Sequence, residues 1–383
     1  VAIVAYGTSM TASGEYLRAA GPALARAYPQ ARIAFTAVGR NGFDTVLAAF
    51  DAQAVAALRP DLVLLELTIN DHSPAIRPLI VPALLGIVAQ IRAVVPECEF
   101  GCVYLARPGD EVSAQPEQIR IHDALAERFG WPSFDLWRLT IDLLVRGEAV
   151  YAGPSERALT RDGTHHAPAA ARLIGEPFAA ALLAAIARSG APQPPEAASG
   201  LVPAEPFRFD ADVFGQLLTD RFEFPDRSRV DPVKYVDLVW VPPHSARPAR
   251  AAATTFQRAR RAAPRDFIVA GRWGTGQAAR RPANLDSREE LLVAVDTGAI
   301  LRIECGGFAC LTGFASGGTI GVRVDGEAHE IRPAVITAAD GVQHWPLLIT
   351  NGLSDRRHVV EVFATGDAMA FSDVFYVQAP AGV

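Results

Sequence analysis

The sequence predicts two folded units: a doubly wound parallel α/β sheet, followed by an all-β sandwich of jelly-roll type. Two shifts of texture along the chain predict this. Up to about residue 189, short continuous apolar runs alternate with Ala-rich stretches at helical spacing, the pattern of a parallel sheet covered on both faces. Beyond residue 206, short apolar segments are separated by Gly and Asp turns with little helix between them. Between the two, 189–206 holds Gly, Ala, Ser and five prolines, the composition of a stiff surface connection. The expected boundaries are 1–190 and 207–383, joined by 191–206. The chain carries no internal repeat.

Taken in order, residues 1–6 are a continuous apolar run ending at Gly7-Thr8-Ser9, and 14–28 follows at helical spacing. Residues 32–38 read as a second strand ending at Gly39, with a helix over 45–58. A third strand over 61–67 ends at Asn70-Asp71, and 79–95 is a strongly apolar helix. A fourth strand over 99–106 precedes a helix over 119–128, and 133–135 is a short fifth strand. The last helix, 167–188, has Pro168 near its start, where a missing backbone donor costs nothing. Beyond the connection, strands are expected over 236–241, 266–273, 290–295, 300–305, 319–324, 347–350, 358–363 and 370–377. Asp325-Gly326 and Asn351-Gly352 are the clearest turns between them.

A chain of 383 residues suits two domains of about 100–200 residues each. With 50% hydrophobic residues it is not a disordered chain. No apolar run reaches the roughly 18–20 uninterrupted residues of a bilayer span, since 81–95 is broken by Gln90 and Arg92. The net charge of -6 gives no general attraction to nucleic acid. The sequence opens inside a strand, so an initiator Met or export signal is expected to have been lost. That leaves the compartment open between extracytoplasmic (periplasmic or secreted) and cytoplasmic. The cysteines form two close pairs, Cys98 with Cys102 and Cys305 with Cys310, and neither has zinc-ribbon spacing. Local disulfides and buried free thiols both remain open.

In a doubly wound sheet, reactive groups collect beyond the carboxyl ends of the strands. The first strand end carries Gly7-Thr8-Ser9, a hydroxyl at a strand-to-helix turn. The second carries Gly39-Arg40-Asn41-Gly42, where glycines let a backbone N–H face a cavity without a Cβ in the way. The third carries Ile69-Asn70-Asp71, an amide donor in the corresponding place. Just before the last helix comes Asp162-Gly163-Thr164-His165-His166. Singly, each has an ordinary reading as a helix cap, a turn or an Asx loop. Their order and their positions at element boundaries set them apart.

Together these blocks resemble the SGNH hydrolases, the GDSL esterase and lipase superfamily. The matching positions are Ser9, Gly39, Asn70 and His165, with Asp162 three residues before the His. The resemblance covers about the first half of the chain and implies a flavodoxin-like sheet and an ester hydrolase. Three positions depart from the pattern: Thr8 replaces the Asp of the Gly-Asp-Ser signature, Thr68 stands where Gly is usual, and Ala37 where Asn is common. The implied catalytic residues are Ser9 as nucleophile, His165 as base and Asp162 as the acid that orients it. The Ser9 N–H, the Gly39 N–H and the Asn70 amide are the implied oxyanion donors. No metal and no cofactor are implied.

Neighbouring residues have two readings each. His166 competes with His165 for the base role but sits one residue past the family spacing, and is expected to line the pocket or cap the helix. Asp71 either bonds local backbone or touches substrate. Arg40 and His72 either edge the substrate pocket or are exposed loop polarity. Asp135 is expected to be structural. Seven arginines against one acid, Asp266, over 247–272 read as a solvated or interdomain face, or else as a polyanion surface. Trp240, Trp273 and Trp345 are either buried sandwich residues or sugar-stacking platforms.

The expected function is removal of a short acyl group, acetyl above all, from a small-molecule or oligosaccharide ester, with no nucleic-acid partner. The acetyl and carbohydrate parts follow from two-domain members of the resembled superfamily. An acyltransferase using the same three residues is the nearest alternative. A glycan-binding protein with a decayed site is a different class, and nucleotide binding is disfavoured because no phosphate-cradling Gly run follows the first strand. The second unit is expected to cover the first, bind a glycan or hold a homo-oligomer together.

Overall fold

The computed structural model describes residues 1–40, 42–71, 77–107 and 115–189 of the amino-terminal half. In the carboxyl-terminal half it describes 256–278, 289–306, 309–315, 320–331, 337–338, 341–342, 346–350, 356–364 and 369–379. The expected connection 191–206 and the expected strand 236–241 lie outside the described residues. So do the Asn351-Gly352 turn, Trp240 and Trp345.

Two compact units make up the chain. The first is built on five parallel strands, β1 (Ala2–Gly7), β2 (Ala34–Gly39), β3 (Leu62–Glu66), β4 (Glu99–Tyr104) and β5 (Ser133–Asp135), in the order β2-β1-β3-β4-β5. β1, β3 and β4 are continuous apolar runs because helices cover both their faces. The helices are α1 (Ser9–Ser13), α2 (Ala20–Ala27), α3 (Thr45–Ala57), α4 (Ile80–Arg92), α5 (Glu117–Phe129), α6 (Leu136–Val145), the short α7 (Pro168–Ala170) and α8 (Glu176–Ser189). This is the doubly wound sheet that the alternation predicts.

Three local departures have physical causes. The helix expected over 14–28 is divided. Gly14 adopts φ 70 and its N–H caps α1 on Met10 O (3.1 Å), so a 3₁₀ turn over Glu15–Leu17 intervenes before α2. The helix α6, unforeseen in the sequence, starts directly at the end of β5. Asp135 is its N-cap, accepting the Arg138 N–H at 2.9 Å, which gives that residue the structural role expected of it. The last helix contains a π turn over Ala171–Gly175 between α7 and α8. A Cβ on Gly175 would come within 2.9 Å of the Tyr16 carbonyl, so glycine lets this helix approach the 3₁₀ turn closely.

The helical stretch Pro168–Ala187 is the one described helix with the length and hydropathy to cross a membrane. Ile174, Phe178 and Leu182 from it are buried in the core of the first unit. The Phe178 ring packs edge-on against Tyr16 (5.6 Å) and Phe134 (5.3 Å). Cys98 and Cys102 are free thiols in this core, and burial pushes each up to about 12, so the free-thiol reading holds for that pair.

Among the described residues the second unit has a two-stranded antiparallel sheet, β16 (Thr337–Ala338) with β17 (Gly341–Val342), and two large antiparallel sheets. One has the order β10-β11-β20-β13-β18, with β8 (Ala259–Ala262) on β20, and comprises β10 (Trp273–Ala278), β11 (Glu289–Ala294), β13 (Ala309–Ala315), β18 (Pro346–Thr350) and β20 (Met369–Val377). The other is β15-β14-β19-β12-β9, from β9 (Ile268–Ala270), β12 (Ile300–Gly306), β14 (Ile320–Val324), β15 (Glu327–Ile331) and β19 (Arg357–Ala364). Alternate residues of both sheets, including Leu301, Ile303, Val322, Val360, Val362, Phe371 and Val374, form a common core, as in a β-sandwich. Asp325 (φ 50) and Gly326 (φ 94) make the predicted two-residue hairpin turn between β14 and β15.

Cys305 is a free buried thiol in β12, which removes the disulfide reading for the second pair. Of the arginine run, Arg272 pairs with Asp296 (3.1 Å) and Arg260 donates to the Ala259 carbonyl (2.7 Å), so local partners occupy both. Trp273 is half-buried, its Nε1–H on the Ala270 carbonyl (3.0 Å) and its ring on Phe371.

Phe178 joins the last helix, the 3₁₀ turn and β5, so Phe178→Ala should cost about 3–5 kcal/mol. Chemical denaturation of the purified protein checks this; a loss below about 1 kcal/mol would mean that the core does not depend on this ring.

Candidate active site

β1 ends at Gly7 because the next strand crowds it: a Cβ there would overlap the Glu66 carbonyl and the Thr11 side chain. Thr8 then caps α1, its Oγ1 accepting the Met10 N–H at 3.2 Å, and Ser9 is the first helical residue. The Thr8 N–H is shared between the Glu66 carbonyl and Glu66 Oε2, both at 3.1 Å. The Thr8 hydroxyl donates to the same Oε2 (2.8 Å), and so does the Thr11 hydroxyl (2.9 Å). Because Thr11 spends its proton on the carboxylate, the Tyr16 hydroxyl 2.8 Å away is the donor to Thr11 Oγ1.

Glu66 is fully buried, and Oε1 has no hydrogen-bond partner among the described residues. Burial pushes this carboxyl up, the hydrogen bonds from Thr8 and Thr11 pull it down, and the net value is about 7. Ser9 follows Thr8 in the chain and is 8% exposed. Its Oγ makes no hydrogen bond among the described residues, so Ser9 and His165 are not bonded to one another here. Such contacts are often loose without substrate and tighten when it binds.

The loop after β7 (Ala158–Thr160) is closed by Arg161 N–H on His165 O (2.9 Å) and Ala167 N–H on Leu159 O (2.8 Å). Within it Asp162 Oδ1 accepts the Thr164 N–H (3.0 Å) and the His165 N–H (2.7 Å), while Oδ2 is 2.7 Å from His165 Nδ1. Gly163 has φ 82, a conformation that only glycine adopts freely. A carboxylate only accepts, so Nδ1 carries the ring proton and Nε2 is left as an acceptor. Partial burial raises the Asp162 pKa, but the ring, the two N–H groups and the nearby imidazole outweigh it and hold the acid below the ordinary carboxylate value.

At the second strand end, Ala34 and Arg40 donate their N–H groups to Val1 and Gly7 of β1. Alternate residues of a parallel strand face a neighbour, so the Gly39 N–H points away from β1, and β2 is the edge of the sheet. A Cβ on Gly39 would overlap the Ala12 backbone, so glycine is also what lets α1 lie against β2. At the third, Asn70 Nδ2 donates one proton to the Phe43 carbonyl (2.7 Å), which orients the amide and leaves its second proton for another acceptor. The Ser9 N–H begins α1, with no carbonyl four residues back in the helix to receive it. Arg40 lies with its guanidinium 5.6 Å from the Phe43 ring.

Two expectations are corrected. Asp71 is not a substrate contact: it is fully buried, with Oδ1 accepting the Thr45 N–H (2.8 Å) and Oδ2 accepting the Thr45 hydroxyl (2.5 Å) and meeting His122 Nε2 (2.7 Å). It ties the Asn70 loop to the start of α3, beside Asp44, which burial and the neighbouring Asp71 push up to about 7. His166 does not cap the helix, whose N-cap is Ala167: its ring is buried edge-on against Tyr16, 6.1 Å between centroids. Burial and the adjacent His165 lower it to about 4, so it is neutral. His72 lies outside the described residues. Among the described residues no cluster of three His, Cys, Asp or Glu side chains could hold a metal.

Sequence reasoning passed over Glu66, Thr11 and Tyr16. The available signal was an acid inside the apolar run Leu62–Glu66, where a charge is expensive unless donors await it.

A carboxyl raised from 4.5 to about 7 on folding stabilises the fold fully below its unfolded value and loses that contribution as pH climbs through about 7. Asp44 acts in the same sense. Wild type should therefore lose melting temperature between about pH 4.5 and 7, and Glu66→Gln should flatten that slope. A slope unchanged by the substitution would place the titration elsewhere.

No family model matches the sequence, and no curated protein matches it. Among solved structures the chain is similar to CEX, a two-domain esterase active on acetylated mannans and co-crystallised with mannopentaose. The TM-score is 0.64 at 14% identity, covering 99% of this chain and 92% of that one. Over 46% of its length it also matches Axe2, an acetylxylan esterase from Geobacillus stearothermophilus (19% identity, 91% of that chain, TM-score 0.35). Over 47% it matches LAE5, an α/β hydrolase from the metagenome of Lake Arreo (20% identity, 94% of that chain, TM-score 0.35). Identities this low speak to fold alone, and the likeness to CEX runs through both units. The chain shares the two-domain fold of CEX, with the doubly wound parallel sheet in its first unit and antiparallel sheets in its second.

Proposed function

We propose that this protein is a serine esterase that removes acetyl groups from a carbohydrate. The observation that carries the reading is the Asp162–His165 pair, whose bond through Nδ1 leaves Nε2 of the imidazole as an acceptor. In the reaction, His165 Nε2 takes the Ser9 Oγ proton as Oγ attacks the ester carbonyl. Asp162 holds the ring through Nδ1 and stabilises the imidazolium that forms. The Ser9 N–H and the free proton of the Asn70 amide receive the oxyanion, with Gly39 left out because its N–H points away from β1. His165 returns the proton to the departing sugar hydroxyl, which leaves Ser9 acetylated. A water activated by the same nitrogen then releases acetate and restores Ser9.

Hydrolysis is favoured over transfer to a second sugar by the wetness of the base. The His165 side chain is 21% exposed and Asp162 46%, so water reaches the acyl-enzyme. The choice of an acetylated carbohydrate is supported by the activity of CEX on acetylated mannans, and acetylated manno-oligosaccharides are the first substrates to try.

Ser9→Ala should abolish acetate release while leaving the circular dichroism spectrum and melting temperature as in wild type. Turnover retained in that variant would end the nucleophile assignment. Asn70→Ala should lower kcat by about 10²–10³ as one oxyanion donor is lost. A kcat within threefold of wild type (about 0.6 kcal/mol) would remove Asn70 from the oxyanion set. Acetyl transfer to an added oligosaccharide in preference to acetate release would favour the transferase instead.

A further inference from the structure

We infer that Tyr16 is a positioning residue that tethers the His165 loop to the Ser9 turn, through Thr11 and Glu66 on one side and the ring of His166 on the other. The inference rests on the esterase reading and adds to it how nucleophile and base are kept in register. The need for such a device follows from the loop itself. Its hydrogen bonds are internal or to β7: Asp162 to Thr164 and His165, Arg161 to His165, and Ala167 to Leu159. Among the described residues, none of them reaches the strand ends that carry Ser9, Gly39 and Asn70.

The link that does reach across is a chain of side chains. His166 follows the base directly, is buried, and sets its ring edge-on to Tyr16 at 6.1 Å and 76°. The Tyr16 ring is itself fully buried and held from a second side by Phe178 at 5.6 Å, while Gly175 admits the last helix against its carbonyl. Its hydroxyl donates to Thr11 Oγ1 (2.8 Å), which donates to Glu66 Oε2 (2.9 Å). The same oxygen receives the Thr8 N–H and hydroxyl on the residue before Ser9. The polarity follows from the far end, where Glu66 Oε2 accepts from Thr11 and from both Thr8 donors. A shift of the Tyr16 ring would therefore move the imidazole loop relative to the nucleophile turn. Reacting groups misplaced by about 1 Å can lose about 100-fold in rate.

Tyr16→Phe removes the hydroxyl and keeps both ring contacts, Thr11→Val cuts the next link, and Thr11→Ser keeps it. The measurements are kcat and KM on 4-nitrophenyl acetate, with hydrogen–deuterium exchange of the segment 158–167, which contains none of the substituted residues. Tyr16→Phe and Thr11→Val should each lower kcat by about 10- to 100-fold with KM unchanged, and both should quicken exchange over 158–167. The double variant should be no worse than the worse single one, since both cut one chain, and Thr11→Ser should match wild type. Wild-type kcat and exchange in Tyr16→Phe, or losses that multiply in the double variant, would overturn the tether. A wild-type protein inert towards aryl acetates would overturn the esterase reading instead, and the exchange measurement alone would then decide the tether.

Discussion

Burying the Glu66 carboxyl at the end of β3 removes it from water, and an isolated charge there would be prohibitively costly. Three hydrogen-bond donors converge on its Oε2: one N–H and one hydroxyl from Thr8, and one hydroxyl from Thr11. Both residues belong to the turn that presents Ser9, so satisfying the acid and shaping that turn are the same event. The two requirements also explain the glycines. Gly7 lets Glu66 and Thr11 close over the end of β1, and Gly39 lets α1 settle onto β2. The departure of Thr8 from the Asp of the Gly-Asp-Ser signature fits this setting, since a second carboxylate beside Glu66 would replace a donor with a repelling charge.

Among the described residues three Asp–His pairs share a 2.7 Å contact, and their environments separate them. Asp71–His122 is wholly buried, and the other nitrogen of His122 faces protein without a partner, so the pair works as a brace between α3, α5 and the Asn70 loop. Asp325–His358 belongs to the second unit and keeps the His358 ring within β19 at 4% exposure. Asp162–His165 alone presents its imidazole at the surface of the loop. Hydrogen bonds dominate at Asp162 and lower its pKa, whereas burial dominates at Glu66 and Asp44 and raises theirs. An acid meant to stabilise an imidazolium has to be ionised, and of these three only Asp162 sits where ionisation is easy.

Much of this architecture was legible in the residues. β1, β3 and β4 announce themselves as apolar runs because a parallel strand buried on both faces has no polar alternation to confuse it, and 133–135 coincides with β5 although only Phe134 of it is buried. The Asp-x-x-His step was legible because an acid three residues before a histidine in one loop can reach its ring, as Asp162 reaches His165. Three kinds of feature were not. The split at Gly14 depends on a backbone angle, and α6 follows β5 without a loop to mark it. The burial of Asp71 and His166 depends on which side of a loop meets the core, which no local pattern states. Glu66 was overlooked for the opposite reason: it sits in an apolar run, and only the folded structure shows Thr8 and Thr11 turned towards it.

Catalysis by this site requires Ser9 and His165 to act on one another. The direct measurement is intact-mass and peptide mass spectrometry after treatment with a fluorophosphonate, on wild type and His165→Ala. A single adduct mapped to Ser9 is expected in wild type, and its loss in His165→Ala. An adduct on another residue, or one that forms at the same rate without His165, would contradict it.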